Sequence, residues 1–146
     1  MTIRCEIVSQ DRMVFEGDAD IVLLPGSEGE MGILPHHAPL LTTLKYGIIK
    51  VRQKNEEHLF TVAGGVAEIQ PSIVTVLADA AENIEEIDVA RAEAARKHAE
   101  EALSNITPED ADLYEKLEIS LKRSNLRLDA VKRHRSRKRY SSSSEG

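Results

Sequence analysis

The stretch IVTVLADAAENIEEIDVARAEAARKHAEEAL (residues 73–103) decides the fold, because the spacing of its apolar side chains changes partway along. Residues 73–77 form a short, largely β-branched run that is typical of a strand. From Asp88 onward the apolar side chains recur at steps of three and four, which predicts a helix with one apolar face. That face is made mostly of alanine and comprises Val89, Ala92, Ala95, Ala99, Ala102 and Leu103. The chain therefore divides near residues 82–87 into a β part and a helical part.

The residues before this boundary form short runs in which apolar and polar side chains alternate. Ile3, Cys5 and Ile7 occupy every second position, which is the period of a half-buried strand. Further runs lie at residues 13–15, 19–24, 47–52, 58–63, 66–70 and 73–77. Such short strands, with no helical segment between them, predict a β-sandwich or barrel over residues 1–84. Within it we expect Gly64-Gly65 to be a hairpin turn and the Gly- and Pro-rich residues 26–40 to be a rigid connection.

A second helix is expected to start at residues 107–110, where Thr caps, Pro takes the first helical position and carboxylates follow. Its apolar stripe comprises Leu113, Leu117, Leu121, Leu128 and Val131, with Ser124 in the gap. The two helices predict an antiparallel hairpin over residues 85–135, followed by a disordered basic and Ser-rich tail over residues 136–146. Each buried alanine methyl contributes only about 1 kcal/mol. The hairpin is therefore expected to dock weakly and to act as a movable element.

Composition excludes several classes of protein. A chain of 146 residues with one cysteine, Cys5, is too short for a large multi-domain enzyme and has no internal disulfide. No signal peptide and no transmembrane run is expected. Residues 1–131 hold 13 Lys and Arg against 24 Asp and Glu, a net charge of −11, whereas residues 132–146 hold six against one, a net charge of +5. An acidic body thus carries a basic C-terminal end.

The residues show no catalytic constellation and no metal site. There is no nucleophile elbow, phosphate loop or paired-cysteine spacing, and His36-His37 point to opposite faces of an extended segment. A cupin-like metalloenzyme is excluded because the sequence supplies too few metal ligands. The alternative from another class is a small nucleic-acid-binding β-barrel whose basic tail grips phosphates. The net charge of −11 over residues 1–131 would repel phosphates, and only five aromatic residues are present to stack on bases, so both features oppose this alternative.

Three segments together resemble one family. They are GSEGEMGILPHHAPLLT (residues 26–42), GGVAEIQP (residues 64–71) and VTVLADAAE (residues 74–82). In order and spacing they are similar to the epsilon subunit of bacterial and chloroplast F-type ATP synthases. The resemblance implies a flattened β-sandwich followed by a helical hairpin. It also implies a non-catalytic rotor subunit that links the gamma subunit to the c-ring and inhibits ATP hydrolysis through the hairpin. Such a subunit lies on the cytoplasmic face of the inner or plasma membrane and meets the membrane only through the complex.

The same resemblance implies roles for particular residues. Glu28, Glu30 and His37 match the segment that meets the polar loops of the c-ring. IDVARA (residues 87–92) matches the nucleotide-binding pattern of the family, so that ATP is a candidate regulatory ligand although no cofactor is required. The residues implied in ATP binding are Glu82, Ile87, Asp88, Arg91, Ala92, Arg123 and Arg127. His98 stands where strong nucleotide binders carry a further arginine. The other interpretation makes Asp88 a helix N-cap and Arg91 an exposed ion-pair partner.

The basic residues of the second helix carry the last implied contact. In the family, an extended hairpin brings such residues to an acidic segment of the catalytic beta subunits. The matching residues are Lys122, Arg123, Arg127, Lys132 and Arg133. Each exposed pair contributes about 0.2–1 kcal/mol, so several pairs are needed. From residue 135 onward the alternative is a solvated tail without a partner.

Overall fold

The computed structural model describes residues 1–107 and 109–144, with side chains up to His134. The chain separates into two compact units, and the break lies between Asn83 and Ile84. None of the described helices combines the length and the apolarity that crossing a membrane requires.

The first unit is built from strands. They are β1 (Ile3–Ser9), β2 (Met13–Ala19), β3 (Ile21–Gly26), β4 (Gly29–Ile33), β5 (Leu40–Leu44), β6 (Gly47–Gln53), β7 (Glu56–Val62), β8 (Gly65–Ile69), β9 (Ile73–Ala78) and β10 (Ala81–Asn83). They pair in the order β10-β7-β6-β3-β5-β8-β9-β1-β2, and β4 pairs with β3 outside this path. All pairs are antiparallel except β1 with β9, which is parallel.

The sheet curls until its two ends approach each other. The end strands β10 and β2 contact each other, and β2 also contacts β6. Two hydrogen bonds of 2.6 Å connect the end of β6 with the end of β2. Gln53 Nε2 donates to Asp18 O, and the backbone N of Lys54 donates to Asp20 Oδ2. The unit is a nearly closed β-sandwich, as the alternation of side chains predicts.

Aliphatic side chains fill the interior of the sandwich. The largest fully buried residues are Phe60, Ile3, Ile7, Leu24, Ile33, Ile49, Ile69, Val22, Val51, Val62, Val74 and Val76. Phe60 is the only aromatic side chain in this set, and its ring centroid lies 5.3 Å from that of Phe15. Ile3, Cys5 and Ile7 all point inward with no exposed area, which confirms the period of two predicted for the first strand.

Two expectations for the sandwich are wrong. Residues 26–40 contain a strand, β4, because its residues alternate faces and Ile33 is buried while Glu30 is exposed. Gly64-Gly65 is not a hairpin turn, since β7 pairs with β6 and β10 whereas β8 pairs with β5 and β9. The two glycines instead carry the chain from one side of the sandwich to the other, with φ angles of +82° and +138°.

The second unit is a helical hairpin. A short 3₁₀ segment (Ile84–Glu86) precedes α1 (Val89–Asn105), and α2 (Ala111–Ser144) packs along α1. Small side chains line the contact, because Ala92, Ala99, Ser124 and Ala130 are each at most 2% exposed. The predicted alanine stripe of α1 is therefore confirmed. In the stripe of α2, Leu113 differs from the prediction, since it is 44% exposed near the tip of the hairpin.

The ends of α2 also differ from the sequence interpretation. Its N-terminal cap is Asp110, whose Oδ1 accepts from the backbone N of Leu113 at 3.4 Å, rather than Thr107. The helix continues to Ser144 through positions where a disordered tail is expected, because no Gly or Pro interrupts the backbone between residues 111 and 144. The last part of the predicted tail, residues 145–146, and the side chains from residue 135 onward lie outside the described residues.

Candidate functional site

The first candidate site is the turn between β3 and β4. Ser27 and Glu28 form a two-residue turn, and both Glu28 and Glu30 are exposed. Thr43 Oγ1 donates to Ser27 Oγ at 2.8 Å, and the backbone N of Ser27 donates to Thr43 O at 3.0 Å. These bonds fasten the turn to the end of β5. The structure thus places two carboxylates on an ordered, acidic tip.

His37, predicted to share this site, lies elsewhere on the sandwich. It belongs to the connection between β4 and β5, where its Nδ1 lies 2.7 Å from Ala38 O. Its neighbour His36 adopts a φ of +67° and donates its backbone N to Pro71 O at 2.8 Å. The five residues of β5, at about 3.3 Å each, separate this connection from the acidic tip. The structure therefore does not gather Glu28, Glu30 and His37 into one cluster.

An apolar row crosses the outer face of the sheet. Val66, Leu77, Val8 and Met13 are successive cross-strand partners on β8, β9, β1 and β2. Val66, Leu77 and Met13 are 36%, 58% and 48% exposed. An exposed apolar row of this kind marks an interaction surface in many proteins. We call these four residues the apolar row.

Sequence reasoning missed this surface. The alternation identified the strands, but no role was given to apolar side chains at their outward positions, where Val66 alternates with the buried Ala67 and Leu77 with the buried Val76. Side chains of neighbouring residues on a strand point to opposite faces. The available signal was therefore an apolar side chain at an outward position on several strands in succession.

The second candidate site is the start of α1. Asp88 is the N-cap, and its Oδ1 accepts from the backbone N of Arg91 at 3.1 Å. Ala92 is buried against α2, whereas Arg91 is exposed. The alternative interpretation of Asp88 as a helix N-cap is thus confirmed. A cap uses one carboxylate oxygen and leaves the other available for a ligand.

Two arginines of α2 belong to the same region of the hairpin. Arg123 and Arg127 are four residues apart and both half-buried. Counting back along the antiparallel helices at 1.5 Å per residue puts their turn roughly level with the first turn of α1. The Nε of Arg123 is buried and has no hydrogen-bond partner among the described residues. A buried guanidinium N–H in this state fits an anionic ligand.

The remaining predicted residues are spread over both units. Glu82 lies half-buried on β10 in the sandwich, and Ile87 is half-buried just before α1. Lys122, Lys132 and Arg133 are all exposed on α2. At 100° per residue, Lys122 and Arg133 share one side of the helix while Lys132 lies on another. The basic residues therefore surround α2 rather than forming a single stripe.

The described residues include no group of three or more His, Cys, Asp or Glu side chains placed to hold a metal ion. The thiol of Cys5 is fully buried, and burial together with the charge of Glu6 raises its pKa from an ordinary value near 9.0 to about 12. A thiol with so high a pKa is a poor nucleophile at neutral pH.

Comparison with known proteins identifies the family. A model described as the β-sandwich domain of the ATP synthase delta/epsilon chain matches residues 2–84, and one described as its long α-helix domain matches residues 85–132. The ATP synthase epsilon chain of Dehalococcoides mccartyi is 44% identical over 134 residues, which are 91% of this chain and 94% of the relative. The chain belongs to the epsilon-subunit family of the F-type ATP synthases.

A second relative and a solved structure are also similar to this chain. The epsilon chain of Pelotomaculum thermopropionicum is 52% identical over 106 residues, covering 73% of this chain and 79% of the relative. A chain in the cryo-electron microscopy structure of the Euglena gracilis mitochondrial ATP synthase (OSCP/F1/c-ring) superposes with a TM-score of 0.67. It is 23% identical, and the match covers 82% of this chain and 75% of that one. This last similarity shows a shared fold.

Proposed function

We propose that the chain is a non-catalytic rotor subunit of an F-type ATP synthase, with its sandwich linking the gamma subunit to the c-ring. Membership of the epsilon family, with both domains matched, is the observation that carries this proposal. The neighbouring Euglena chain comes from an assembly described as OSCP/F1/c-ring, which is consistent with a place beside the ring. The subunit would then lie at the cytoplasmic face of the membrane and be held there by the complex.

The apolar row is the proposed contact with gamma. Its support is the exposure of Val66, Leu77 and Met13 on one continuous sheet face. Burying such side chains against a partner contributes about 25 cal/mol for each Å² of apolar surface removed from water. The acidic tip formed by Glu28 and Glu30 is the proposed contact with the polar loops of the c-ring, where complementary charge favours orientation and association rate.

Copurification with gamma tests the apolar row. Leu77→Asp places a charge in the proposed interface, and we expect the variant to lose most of the gamma that the unaltered chain retains. Leu34→Asp is the matched control, because Leu34 is 57% exposed, close to the 58% of Leu77, and lies outside the row. Equal retention of gamma by both variants would remove the assignment.

The hairpin is proposed to inhibit ATP hydrolysis when it extends. The support is its small-residue packing, which gives weak docking, together with the exposed bases Lys122, Lys132 and Arg133 that suit an acidic segment of the beta subunits. Deleting residues 86–146 should relieve inhibition in the assembled complex and leave assembly intact, because the sandwich is a separate unit. Unchanged hydrolysis by the truncated complex would contradict the proposal.

ATP is proposed as a ligand of the packed hairpin. The support is the buried Nε of Arg123 without a partner and the position of Asp88 and Arg91 on the first turn of α1. Calorimetry of the isolated chain should give heat of binding at millimolar ATP. We expect Arg91→Ala and Arg123→Ala to lose this heat of binding. Arg133→Ala is the control and should keep it, because Arg133 is an exposed arginine on α2, the helix that also carries Arg123. An absence of heat with the unaltered chain would end this part of the proposal.

A further inference from the structure

A second row of outward side chains runs beside the apolar row on the same four strands. Glu68 pairs with Thr75, Thr75 with Glu6, and Glu6 with Glu16, so this row crosses β8, β9, β1 and β2 in order. Each of its first three members lies two positions from the member of the apolar row on the same strand. Residues two apart on a strand point to the same face. We call Glu68, Thr75, Glu6 and Glu16 the acidic row.

The fourth member, Glu16, reaches this face through an irregularity in the pairing of β1 with β2. The step from Met13 to Glu16 is three residues, and the register shift between Ile7 and Val8 accommodates the extra one. Because Glu16 lies directly opposite Glu6, the two side chains share a face. Two residues at about 3.3 Å each put the two rows about 7 Å apart. A partner seated on the apolar row therefore has side chains within reach of the carboxylates.

Neighbouring donors hold these carboxylates in place. Gln70 Nε2 donates to Glu68 Oε1 at 3.1 Å, and this uncharged donor leaves the negative charge of Glu68 intact. Arg4 Nε donates to Glu6 Oε1 at 3.1 Å, and the same guanidinium also bonds to Glu16. Like charges directly opposite each other on paired strands repel, and the bridging arginine offsets that repulsion. The acidic row is thus an ordered charged surface.

The face as a whole keeps a negative charge. The structure describes every residue of β8, β9, β1 and β2, and these strands carry four carboxylates (Glu6, Glu16, Asp18 and Glu68) against one base, Arg4, a net charge of −3. Protein interfaces commonly have an apolar centre and a polar rim. Here the rim along one side of the apolar row is a line of carboxylates. A partner that covers the apolar row brings its own side chains against negative charge.

We propose that the acidic row is the electrostatic part of the gamma contact, and that the gamma surface covering the apolar row carries Lys or Arg side chains opposite Glu16 and Glu68. The inference rests on the proposed contact between the apolar row and gamma. The apolar row supplies the buried area, whereas the acidic row raises the association rate and fixes orientation, because complementary charge acts mainly on the encounter. A gamma surface without bases here would bury the carboxylates without partners, which is costly.

Association kinetics of the full chain with the purified gamma subunit of the same synthase test the acidic row. The NaCl concentration is raised from 0.1 M to 1 M, over which the Debye length falls from about 10 Å to about 3 Å. We expect the association rate constant to fall about tenfold, with a smaller change in the dissociation rate constant. Glu16→Gln/Glu68→Gln should lower the association rate constant at 0.1 M NaCl about threefold to tenfold and flatten its salt dependence.

A matched double variant separates the acidic row from the net charge of the chain. Glu93→Gln/Glu100→Gln removes the same two charges from exposed positions of α1, outside the sandwich, and should keep the rate and the salt dependence of the unaltered chain. An equal loss of rate in both double variants would assign the effect to net charge and overturn the acidic row. An association rate of the unaltered chain that does not depend on salt would overturn it as well.

Failure of the acidic row is separable from failure of the proposed gamma contact. If gamma binds the unaltered chain and Leu77→Asp prevents binding, while the association rate does not depend on salt, the apolar contact stands and the acidic row fails. If gamma does not bind the unaltered chain, the proposed contact fails and the acidic row fails with it.

Discussion

Gly65 shows how one residue constrains the sandwich. Its φ is +138°, and a Cβ built on it would lie 2.4 Å from the backbone O of Leu77 and 2.8 Å from the Cα of Ala78. The obstacle is backbone, which cannot move aside as a flexible side chain can. Only glycine fits where the chain crosses from β7 to β8.

Gly65→Ala is therefore expected to destabilise the sandwich by about 1–3 kcal/mol, because it combines a disfavoured φ with a backbone clash. Gly32→Ala is the matched control, since its nearest neighbours are side-chain atoms at 3.4 and 3.5 Å and its change should stay within about 0.5 kcal/mol. Urea unfolding followed by circular dichroism compares the two. Equal midpoints would show that the crossing adapts to a side chain.

Cys5 offers a second prediction at this scale. Because burial raises its pKa to about 12, only about one thiol in ten thousand is ionised at pH 8 in the folded chain. Alkylation at pH 8 should therefore be slower by at least about a thousandfold in native protein than in urea. The folded state holds this proton more tightly than the unfolded state, so stability should fall as the pH rises above about 9. Rapid labelling of native protein would contradict the burial.

At the scale of elements, Asp88 at the start of α1 has two roles. Asp88 caps the helix through Arg91 N and also belongs to the region proposed for ATP. Its substitution therefore affects both, unless the cap is preserved. Asparagine accepts the same hydrogen bond without the charge.

Asp88→Ala should lower the stability of the hairpin by about 1 kcal/mol, whereas Asp88→Asn should retain it. Both substitutions should weaken ATP binding if the carboxylate contacts the ligand. Hydrogen exchange of the α1 amides measures the first effect and calorimetry the second. A loss of protection in the asparagine variant equal to that in alanine would show that the cap is not what stabilises this end.

Most elements follow from sequence periodicity, and the exceptions have physical causes. Seven of the strands and α1 were predicted because their apolar residues keep a period of two or of 3.6, whereas β5 and the three-residue β10 were not among the predicted runs. β4 was missed because Gly29 and Gly32 resemble loop residues, although their strand pairs them with β3. The end of α2 was missed because charge suggested disorder, whereas arginine and lysine are good helix formers. The Asp88 cap was foreseen as an alternative, but the apolar row depends on pairing between distant strands and has no local signature.

At the scale of the molecule, the sandwich is a folding unit in its own right. Its core cluster, from Ile3 to Ala81, lies wholly within residues 1–83. A chain ending at residue 85 should therefore unfold cooperatively, at a denaturant midpoint close to that of the sandwich in the full chain. Near-ultraviolet and far-ultraviolet circular dichroism on the two chains measures this. A broad or absent transition in the short chain would show that the helices are needed for folding.

The parallel pairing of β1 with β9 has a consequence for synthesis. Arg4 pairs with Ile73, so the first strand made waits about 70 residues for its partner. At about 5–20 residues per second, that interval lasts several seconds. During this time β1 has only its hairpin partner β2, and Ile3 and Ile7 have no interior to enter. The sandwich therefore cannot close until β9 leaves the ribosome, and until then the apolar side chains of β1 stay exposed in the nascent chain.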